Sequence, residues 1–126
     1  MAVVRPFRAV RPLPSLAEQI ASLPYDVMDR AEAKAMAGNN ELSFLHVVRA
    51  EIDLPDSVDD YADQVYEKGC QRLRRMMADG VLVQDQQPFF YIYRQIMKGR
   101  VQTGLVATFS VDEYLSNKIK KHEFTR

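Results

Sequence analysis

The clearest hydrophobic pattern in the chain lies between residues 57 and 79. Asp56 or Ser57 offers a side-chain oxygen for a helix N-terminus, and Gly80 stands where a helix often ends. Apolar side chains recur between them at intervals of three or four residues, at Val58, Tyr61, Ala62, Val65, Tyr66, Gly69, Leu73, Met76 and Met77. The spacing predicts a long helix over 57–79 whose apolar stripe packs on a sheet.

A second pattern, over residues 89–109, is typical of a β-hairpin. Two runs rich in β-branched and aromatic residues flank the pair Lys98-Gly99, which suits a two-residue turn. Such a turn pairs Ile96 with Val101, Arg94 with Thr103, Ile92 with Leu105, and Phe90 with Ala107. Because side chains alternate along a strand, these residues share one face, which is apolar except at Arg94 and Thr103.

Two capping-box patterns predict shorter helices. Asp29 precedes Glu32 by three residues, which predicts a helix over 30–37. Ser110 and Glu113 repeat this spacing and predict a second helix that continues into a basic stretch. In such a box the cap oxygen accepts an N–H of the first turn, and the glutamate reaches back to the N–H of the cap residue.

The remaining segments complete the predicted fold. The Pro-rich opening predicts an extended arm and then a short helix over 15–22. The apolar, β-rich run Ser43–Arg49 has the length of a strand, and we interpret it as one, although periodicity does not separate a buried strand from a helix in so short a run. We therefore predict one α+β domain over 1–126. In it, a mixed or antiparallel sheet with the 89–109 hairpin packs against the 57–79 helix and the shorter helices.

Composition and charge narrow the classes of function. Seventeen basic and seventeen acidic residues cancel, so no overall field favours nucleic acid or an anionic membrane. The single Cys70 forms no internal disulfide, and the first residues lack the apolar region of a secretory signal. No apolar run approaches the roughly 20 residues that span a bilayer. We expect a cytoplasmic protein with no membrane partner, and nucleic acid is not the expected partner.

The closing stretch of the chain holds the first set of candidate site residues. Lys120, Lys121 and Arg126 supply charge-assisted donors for a phosphate or a carboxylate. Glu123 beside His122 has the groups needed to move a proton, which makes these two the candidate catalytic residues. The alternative is a solvated basic helix end, since runs of charge usually face water. No Walker A loop, dinucleotide fingerprint, zinc-spaced Cys/His set or nucleophile elbow is present, and we predict no metal site.

The hairpin holds the second set. Arg94 lies on an otherwise apolar strand face, where a guanidinium needs a carboxylate, a carbonyl or a ligand to offset its desolvation. The alternative for Arg94 is a structural ion pair or a position at a strand edge. Arg100, next to the turn, is either a surface charge or a contact of a ligand held at that end of the sheet. We predict ligand contacts for Arg94, Arg100 and Gln102.

Other polar residues are interpreted as structural. His46 lies in an apolar run and is expected to be a hydrogen-bonded core histidine rather than a ligand. Cys70 lies next to the helix stripe and is expected to be a small buried hydrophobe. Tyr25 follows Pro24 in either a turn or a site loop, which the sequence leaves open. Loop and cap positions are expected for the carboxylates Glu51, Asp53 and Asp56.

Several separated blocks of the sequence together resemble one known family. The blocks are Pro24-Tyr-Asp-Val27, Ser43-Phe-Leu-His-Val47 with Arg49 and Glu51–Pro55, Tyr91-Ile-Tyr-Arg94, Gly99-Arg-Val-Gln-Thr-Gly104, Ser110-Val-Asp-Glu-Tyr114, and Ile119-Lys-Lys-His-Glu123 with Thr125-Arg126. In this order they resemble the bacterial and archaeal family called domain of unknown function 1015. Members of that family are much longer and carry the Lys-His-Glu block in their first third. The resemblance implies that this chain is the N-terminal fragment of a longer protein, whose missing C-terminal region is a partner.

The resemblance also implies a chemistry. The family has no assigned function, but it is similar to ParB-type partition proteins, whose N-terminal fold is shared with sulfiredoxin and with kinases that act on free serine. This likeness implies that the chain handles nucleotide or phosphate. Glu123 would be the base, and Lys120, Lys121 and Arg126 would hold the phosphate charge.

Three hypotheses from different classes follow. The first is an enzyme domain for a phosphorylated small molecule or nucleotide. Its reaction is taken to be phosphoryl transfer in serine-related metabolism. It requires Arg94, Arg100 and the Lys-His-Glu block to face one pocket. The second is a structural or interaction domain that supports the C-terminal region and exposes an apolar patch. The third is a ParB-like nucleic-acid-binding module, which the neutral charge balance opposes. The sequence leaves the cofactor and the substrate unknown.

Overall fold

The computed structural model describes residues 1–121 of the chain and shows an α+β protein, which confirms the predicted class. Contacts group the residues into two compact units. We call residues 11–83 the helical unit, and residues 1–10 with those from 84 onward the ribbon unit. That residues 1–126 form one domain stays a prediction.

The elements within residues 1–121 are five α-helices and six short strands. In chain order they are β1 (Val4–Arg5), β2 (Val10–Pro12), α1 (Ala17–Ile20), α2 (Arg30–Ala37), α3 (Leu45–Val48), α4 (Asp63–Ala78), β3 (Leu82–Gln84), β4 (Tyr91–Met97), β5 (Arg100–Val106), β6 (Thr108–Phe109) and α5 (Val111–Leu115). Short 3₁₀ turns cover Pro14–Leu16, Tyr25–Val27 and Ala50–Asp53. The strands pair as β1 with β6, β2 with β3, and β4 with β5. No helix within this part of the chain is both long and apolar enough to cross a membrane.

Helix α2 begins and ends where the sequence predicts. The Asp29 carboxylate accepts the Glu32 backbone N–H at 2.8 Å, and the Glu32 carboxylate accepts the Asp29 N–H at 2.9 Å. This reciprocal pair is the predicted capping box. Gly38 ends the helix with a φ of 51°, a conformation that a residue with a Cβ adopts at a cost.

Helix α4 begins at Asp63, six residues later than predicted, because the preceding segment has other partners. Arg30 donates to the carbonyl of Val58 at 2.9 Å, and the Asp59 carboxylate accepts the Tyr61 N–H at 2.8 Å. The segment before Asp63 therefore forms turns in place of a first helical turn.

The end of α4 confirms the role of Gly80. The Val81 N–H donates to the Met76 carbonyl at 2.9 Å, and the Gly80 N–H donates to the Met77 carbonyl at 3.1 Å. With Gly80 at a φ of 71°, these bonds form a Schellman motif, which satisfies carbonyls that the helix end leaves open.

The apolar stripe of α4 packs mainly on helix α3 and the Ala50–Asp53 turn, and not on a broad sheet as predicted. Val65 and Gly69 are buried there. Met76, farther along, is buried with Ile20 and with Leu82 of β3. A second buried cluster, on α2, α3 and the same turn, contains Ala33, Ala37, Leu45 and Ile52.

The prediction of a strand over Ser43–Arg49 is wrong, because this run forms helix α3. The Val48 N–H donates to the Phe44 carbonyl at 3.1 Å, and the Arg49 N–H donates to the Leu45 carbonyl at 2.8 Å. Both bonds span four residues, as in an α-helix. Leu45 and His46 are neighbours and both are buried, which an alternating strand with one exposed face does not allow.

The ribbon unit contains the predicted hairpin in the predicted register. Ile96 pairs with Val101, Arg94 with Thr103, and Ile92 with Leu105. Lys98 and Gly99 have φ values of 50° and 77°, as both central residues of a type I′ turn require. The ladder ends at Tyr91 and Val106, so the predicted pair Phe90–Ala107 lies outside it. The predicted packing of the hairpin on the long helix stays a prediction.

Tyr91 connects the N-terminal arm to the hairpin within the ribbon unit. Phe7 and Phe89 exchange backbone hydrogen bonds of 3.1 and 2.9 Å, and the Tyr91 ring lies 5.1 Å from the Phe7 ring. The Tyr91 hydroxyl donates to the Asp85 carboxylate at 2.6 Å and accepts the Ala9 N–H at 2.9 Å. None of the described residues of this unit is buried, so these contacts hold it together at the surface.

Candidate functional site

A groove of about 450 Å³ opens on the helical unit, between the Tyr25–Val27 turn, helix α3, the Ala50–Asp53 turn and the first half of helix α4. Its volume lies within the range of roughly 300–1,000 Å³ that is common for small-molecule sites. Three tyrosines, Tyr25, Tyr61 and Tyr66, line it together with the charged pair Arg49 and Glu51. We call it the tyrosine groove.

The tyrosine rings of the groove remain largely in water. Tyr61 is 82% exposed, and Tyr25 and Tyr66 are each more than half exposed. An exposed aromatic face offers stacking to a flat ring or to a guanidinium, and its hydroxyl offers a hydrogen bond. The rings are therefore available to a ligand.

The pair Arg49 and Glu51 is the polar centre of the groove. The Arg49 Nε lies 2.7 Å from the Glu51 Oε1, and the two side chains are 19% and 5% exposed. Although this distance makes an ion pair, neither atom has a hydrogen bond of good geometry with any described residue. A buried carboxylate oxygen usually accepts a hydrogen bond, so the Oε1 of Glu51 departs from the usual pattern in the described structure.

Arg30 fixes the backbone that carries Glu51. Its Nη2 donates to the carbonyls of Glu51, Leu54 and Pro55 at 2.7, 2.9 and 3.0 Å. Its Nη1 donates to the carbonyl of Val58 at 2.9 Å and to the carboxylate of Asp60, another groove residue, at 3.0 Å. One side chain on α2 thus holds the loop between α3 and α4 in place.

His46 lies below this loop and is the hydrogen-bonded core histidine that the sequence predicts. Its Nδ1 lies 2.9 Å from both oxygens of the Asp53 carboxylate, and its Nε2 lies 3.1 Å from the Asn40 carbonyl oxygen. Both ring nitrogens therefore face acceptors, and the ring ties the Ala50–Asp53 turn to the loop before α3. His46 does not line the groove.

Cys70 lines the groove and is exposed, so the prediction of a small buried hydrophobe is wrong. It follows Gly69, whose Cα faces α3. A Cβ at Gly69 would lie 2.6 Å from the Val47 carbonyl oxygen. This approach turns Gly69 inward and leaves Cys70 on the open side of α4.

The hairpin residues predicted to bind ligand lie on two different faces. Arg94 pairs with Thr103, whereas Gln102 pairs with Gln95 and Arg100 pairs with Met97. Because adjacent pairs point to opposite faces, Arg94 points away from Arg100 and Gln102. All three side chains are exposed, so the desolvation argument for a partner of Arg94 does not apply in the described structure.

Helix α5 ends at Leu115, so the prediction that it continues into the basic stretch is wrong for residues 116–121. The basic stretch itself is described only in part. Lys120 is exposed, and the ammonium of Lys121 lies 4.3 Å from the centre of the Tyr114 ring, within the range of a cation–π contact. His122, Glu123 and Arg126 lie outside the described residues. The assignments of all these residues to a phosphate site stay predictions.

Helix α5 shows one arm of its predicted capping box. The Glu113 N–H donates to the Ser110 hydroxyl at 3.4 Å. The Glu113 carboxylate instead accepts the Lys118 ammonium at 2.7 Å and the Val3 N–H at 2.6 Å. The bond with Lys118, helped by the Val3 N–H, lowers the pKa of Glu113 below its ordinary value.

Comparison with known families decides the classification. A family model described as a protein of unknown function, DUF1015, matches residues 4–126. The chain belongs to this family. The match confirms the resemblance found in the sequence, and it covers both the tyrosine groove and the hairpin. Searches of curated proteins and of solved structures found no match.

The sequence reasoning did not find the groove of this DUF1015 chain. It left Tyr25 between a turn and a site loop, placed Tyr61 and Tyr66 in the apolar stripe of the predicted 57–79 helix, and gave Glu51 a loop role. One signal was available, since Arg49 and Glu51 are opposite charges two residues apart directly after an apolar run. Among residues 1–121 no group of three or more His, Cys, Asp and Glu side chains is placed to hold a metal.

Proposed function

We propose that the chain is the ligand-binding part of an enzyme, and that its tyrosine groove binds a nucleoside or a similar small molecule. Such a molecule combines a flat ring, which stacks on tyrosine, with hydroxyl or amino donors for a buried carboxylate. The observation that carries the proposal is Glu51. Glu51 lines a groove of ligand size, its side chain is 5% exposed, and its Oε1 has no well-formed hydrogen bond from any described residue.

The carboxylates of the groove favour a ligand group that donates a hydrogen bond at its centre over an anionic group. Arg49 is already paired with Glu51, and Asp60 adds a further carboxylate that Arg30 holds at 3.0 Å. A phosphate placed beside Glu51 would be repelled, whereas a ribose hydroxyl or an amine would supply the missing hydrogen bond. We therefore propose that the ring and sugar of a nucleoside, and not a phosphate, lie in the groove.

We also propose that the chain binds phosphate, but at residues outside the tyrosine groove. The residues predicted for it are Arg94, Arg100, Gln102, Lys120 and Lys121 in the ribbon unit, together with His122, Glu123 and Arg126. Lys120 and Arg100 are exposed cations, which supports phosphate contact without specifying it. The nucleoside and phosphate proposals are therefore tested by separate variants.

The first experiment is an NMR titration of the chain with adenosine and, separately, with ATP. We expect saturable shifts of the amides around Tyr25, Glu51 and Tyr66. The variant Tyr61→Ala removes a ring that is 82% exposed, so it leaves the fold intact and weakens adenosine binding about 10-fold, since one base–aromatic stack contributes about 1–3 kcal/mol. Tyr93→Ala, at a tyrosine that is also exposed but lies on the hairpin, is the matched control and leaves binding unchanged.

The outcomes separate the two proposals. Shifts that Tyr61→Ala does not weaken, or no shift with adenosine, would reject the groove as a nucleoside site. Shifts with ATP that are confined to residues near Lys120 and are lost in Lys120→Ala/Lys121→Ala would support the phosphate residues alone.

A further inference from the structure

One face of the β4–β5 hairpin is apolar at four of its six positions and is exposed along its length. We call it the aliphatic face, and its residues are Ile92, Arg94, Ile96, Val101, Thr103 and Leu105. Ile92 is 71% exposed, and the other three aliphatic side chains are each more than half exposed. An exposed apolar surface of this kind, interrupted here only by the central pair Arg94 and Thr103, marks contact sites in proteins. A two-stranded ribbon also gains stability from a third strand or from an element packed on its face.

Charge indicates what would cover this face. Arg94 lies between Ile92 and Ile96, at the centre, and forms no ion pair with an acid among residues 1–121. Between Tyr91 and Val106 the sequence contains three cations and no acid. Of these cations only Arg94 lies on the aliphatic face, since Arg100 is on the opposite face and Lys98 is in the turn. A second copy of this face would bring another arginine and no acid, whereas an apolar segment with a carboxylate would match both the surface and its charge.

The edges of the hairpin indicate the form of that segment. Within residues 1–121, β4 and β5 form a sheet of two strands only, so each has one edge without a neighbouring strand. An extended segment added to such an edge gains main-chain hydrogen bonds and places alternate side chains on one face. One carboxylate among those side chains then reaches Arg94.

We propose that the hairpin is an interaction site for an extended acidic segment of a partner protein. The segment adds a third strand at the free edge of β4, extends the aliphatic face with alternate apolar side chains, and places one glutamate or aspartate beside Arg94. This proposal is independent of ligand binding in the tyrosine groove.

The test uses two synthetic nine-residue peptides with charged flanks and valine at alternate positions. One carries glutamate at the central inward position, and the other carries lysine there. We expect the glutamate peptide to bind the chain saturably and to slow hydrogen exchange of amides along one edge of the hairpin. The lysine peptide should bind at least 10-fold more weakly. Arg94→Glu should reverse this preference, because it exchanges the sign of the central charge on an exposed side chain.

The matched control is Arg100→Glu, which makes the same change of charge on the opposite face of the hairpin. It should change the affinity for the glutamate peptide less than 3-fold. Equal binding of both peptides, or no protection of hairpin amides by the glutamate peptide, would overturn the proposal. A molecular mass that doubles with concentration and returns to the monomer value in Ile96→Lys would overturn it in favour of a second copy of the chain.

Discussion

The two units of this chain use similar apolar residues in opposite ways. Every buried hydrophobic residue described lies in the helical unit, where α2, α3 and α4 supply surfaces for one another. The ribbon unit has comparable isoleucines, valines and leucines on β4 and β5, yet all of them are exposed. The difference shows that apolar content does not decide burial. A second layer within the same unit does, because a two-stranded ribbon has nothing to cover its faces.

Polar contacts differ between the units in the same way as apolar residues do: they are enclosed in the helical unit and lie at the surface in the ribbon unit. In the helical unit, the enclosed Arg30 donates to four backbone carbonyls, and the enclosed His46 joins the Asn40 carbonyl to the Asp53 carboxylate. In the ribbon unit, polar contacts such as Glu113 with Lys118 lie at the surface. Substitutions should therefore have large, global effects in the first unit and small, local effects in the second.

The largest expected effect is that of Arg30→Ala. The side chain is 16% exposed and donates to four carbonyls and one carboxylate, which would lose their donors in an enclosed place. We expect a loss of about 3–5 kcal/mol in the free energy of unfolding, as for other broken buried charge networks. Urea unfolding followed by helical circular dichroism measures it. Arg74→Ala, on the exposed side of α4, is the control and should cost less than about 0.5 kcal/mol.

A matched pair of glycines compares the two units directly. An alanine Cβ at Gly69 would lie 2.6 Å from the Val47 carbonyl oxygen, whereas an alanine at Gly104 of β5 would have no atom within 4 Å. We expect Gly69→Ala to destabilise the chain by about 1–3 kcal/mol, since overpacking outweighs the helix propensity that alanine gains. Gly104→Ala should change stability by less than about 0.5 kcal/mol. Equal effects in thermal unfolding would contradict the contrast between the units.

The turn of the hairpin should respond to substitution locally. Gly99 has a φ of 77°, so Gly99→Ala should lower the stability of the hairpin by about 1–2 kcal/mol. Lys98→Asn, at a φ of 50°, should stabilise it because asparagine tolerates this conformation better. Hydrogen exchange of the β4 and β5 amides measures both effects. Amides of α4 serve as the internal reference, and a change there equal to that in the hairpin would show that the effect is global.

The smallest effect should come from Glu113, and it depends on pH. Because the Lys118 bond lowers the pKa of Glu113 in the folded chain, its stabilising contribution is complete above the ordinary glutamate pKa and is lost as the pH falls through the lowered value. An NMR titration of the Val3 amide should report this loss at acidic pH. Glu113→Gln should remove that titration, whereas Asp112→Asn, at the exposed neighbouring carboxylate, should keep it.

The sequence predicted the elements whose signals are local. The capping box of α2 and the turn and register of the hairpin were correct because neighbouring residues determine them, as Asp29 with Glu32 and Lys98-Gly99 show. The start of α4 was wrong by six residues because Arg30, about thirty residues earlier, binds the carbonyl of Val58. The run Ser43–Arg49 was wrong because its length suits a strand, while packing against α2 and α4 makes it a helix.

The candidate site was less predictable than the fold. A groove depends on distant segments meeting, and no local pattern places Tyr25 near Tyr61 or leaves the oxygen of Glu51 without a well-formed hydrogen bond. The sequence instead indicated the basic residues 118–126, since charge is visible without a structure. The role of these basic residues in binding phosphate stays a prediction. The groove is a candidate binding site that becomes visible only in the folded structure.

The pairing of β1 with β6 has a consequence for the order in which the chain matures on the ribosome. Val4 pairs with Phe109, so the first strand emerges long before its partner is synthesised. At translation speeds of roughly 5–20 residues per second, Val4 waits about 5–20 s for that partner. The helical unit, by contrast, is one continuous stretch from Arg11 to Val83. We expect nascent chains stalled shortly after residue 83 has left the exit tunnel to resist protease across α2–α4 while their first ten residues are still cleaved.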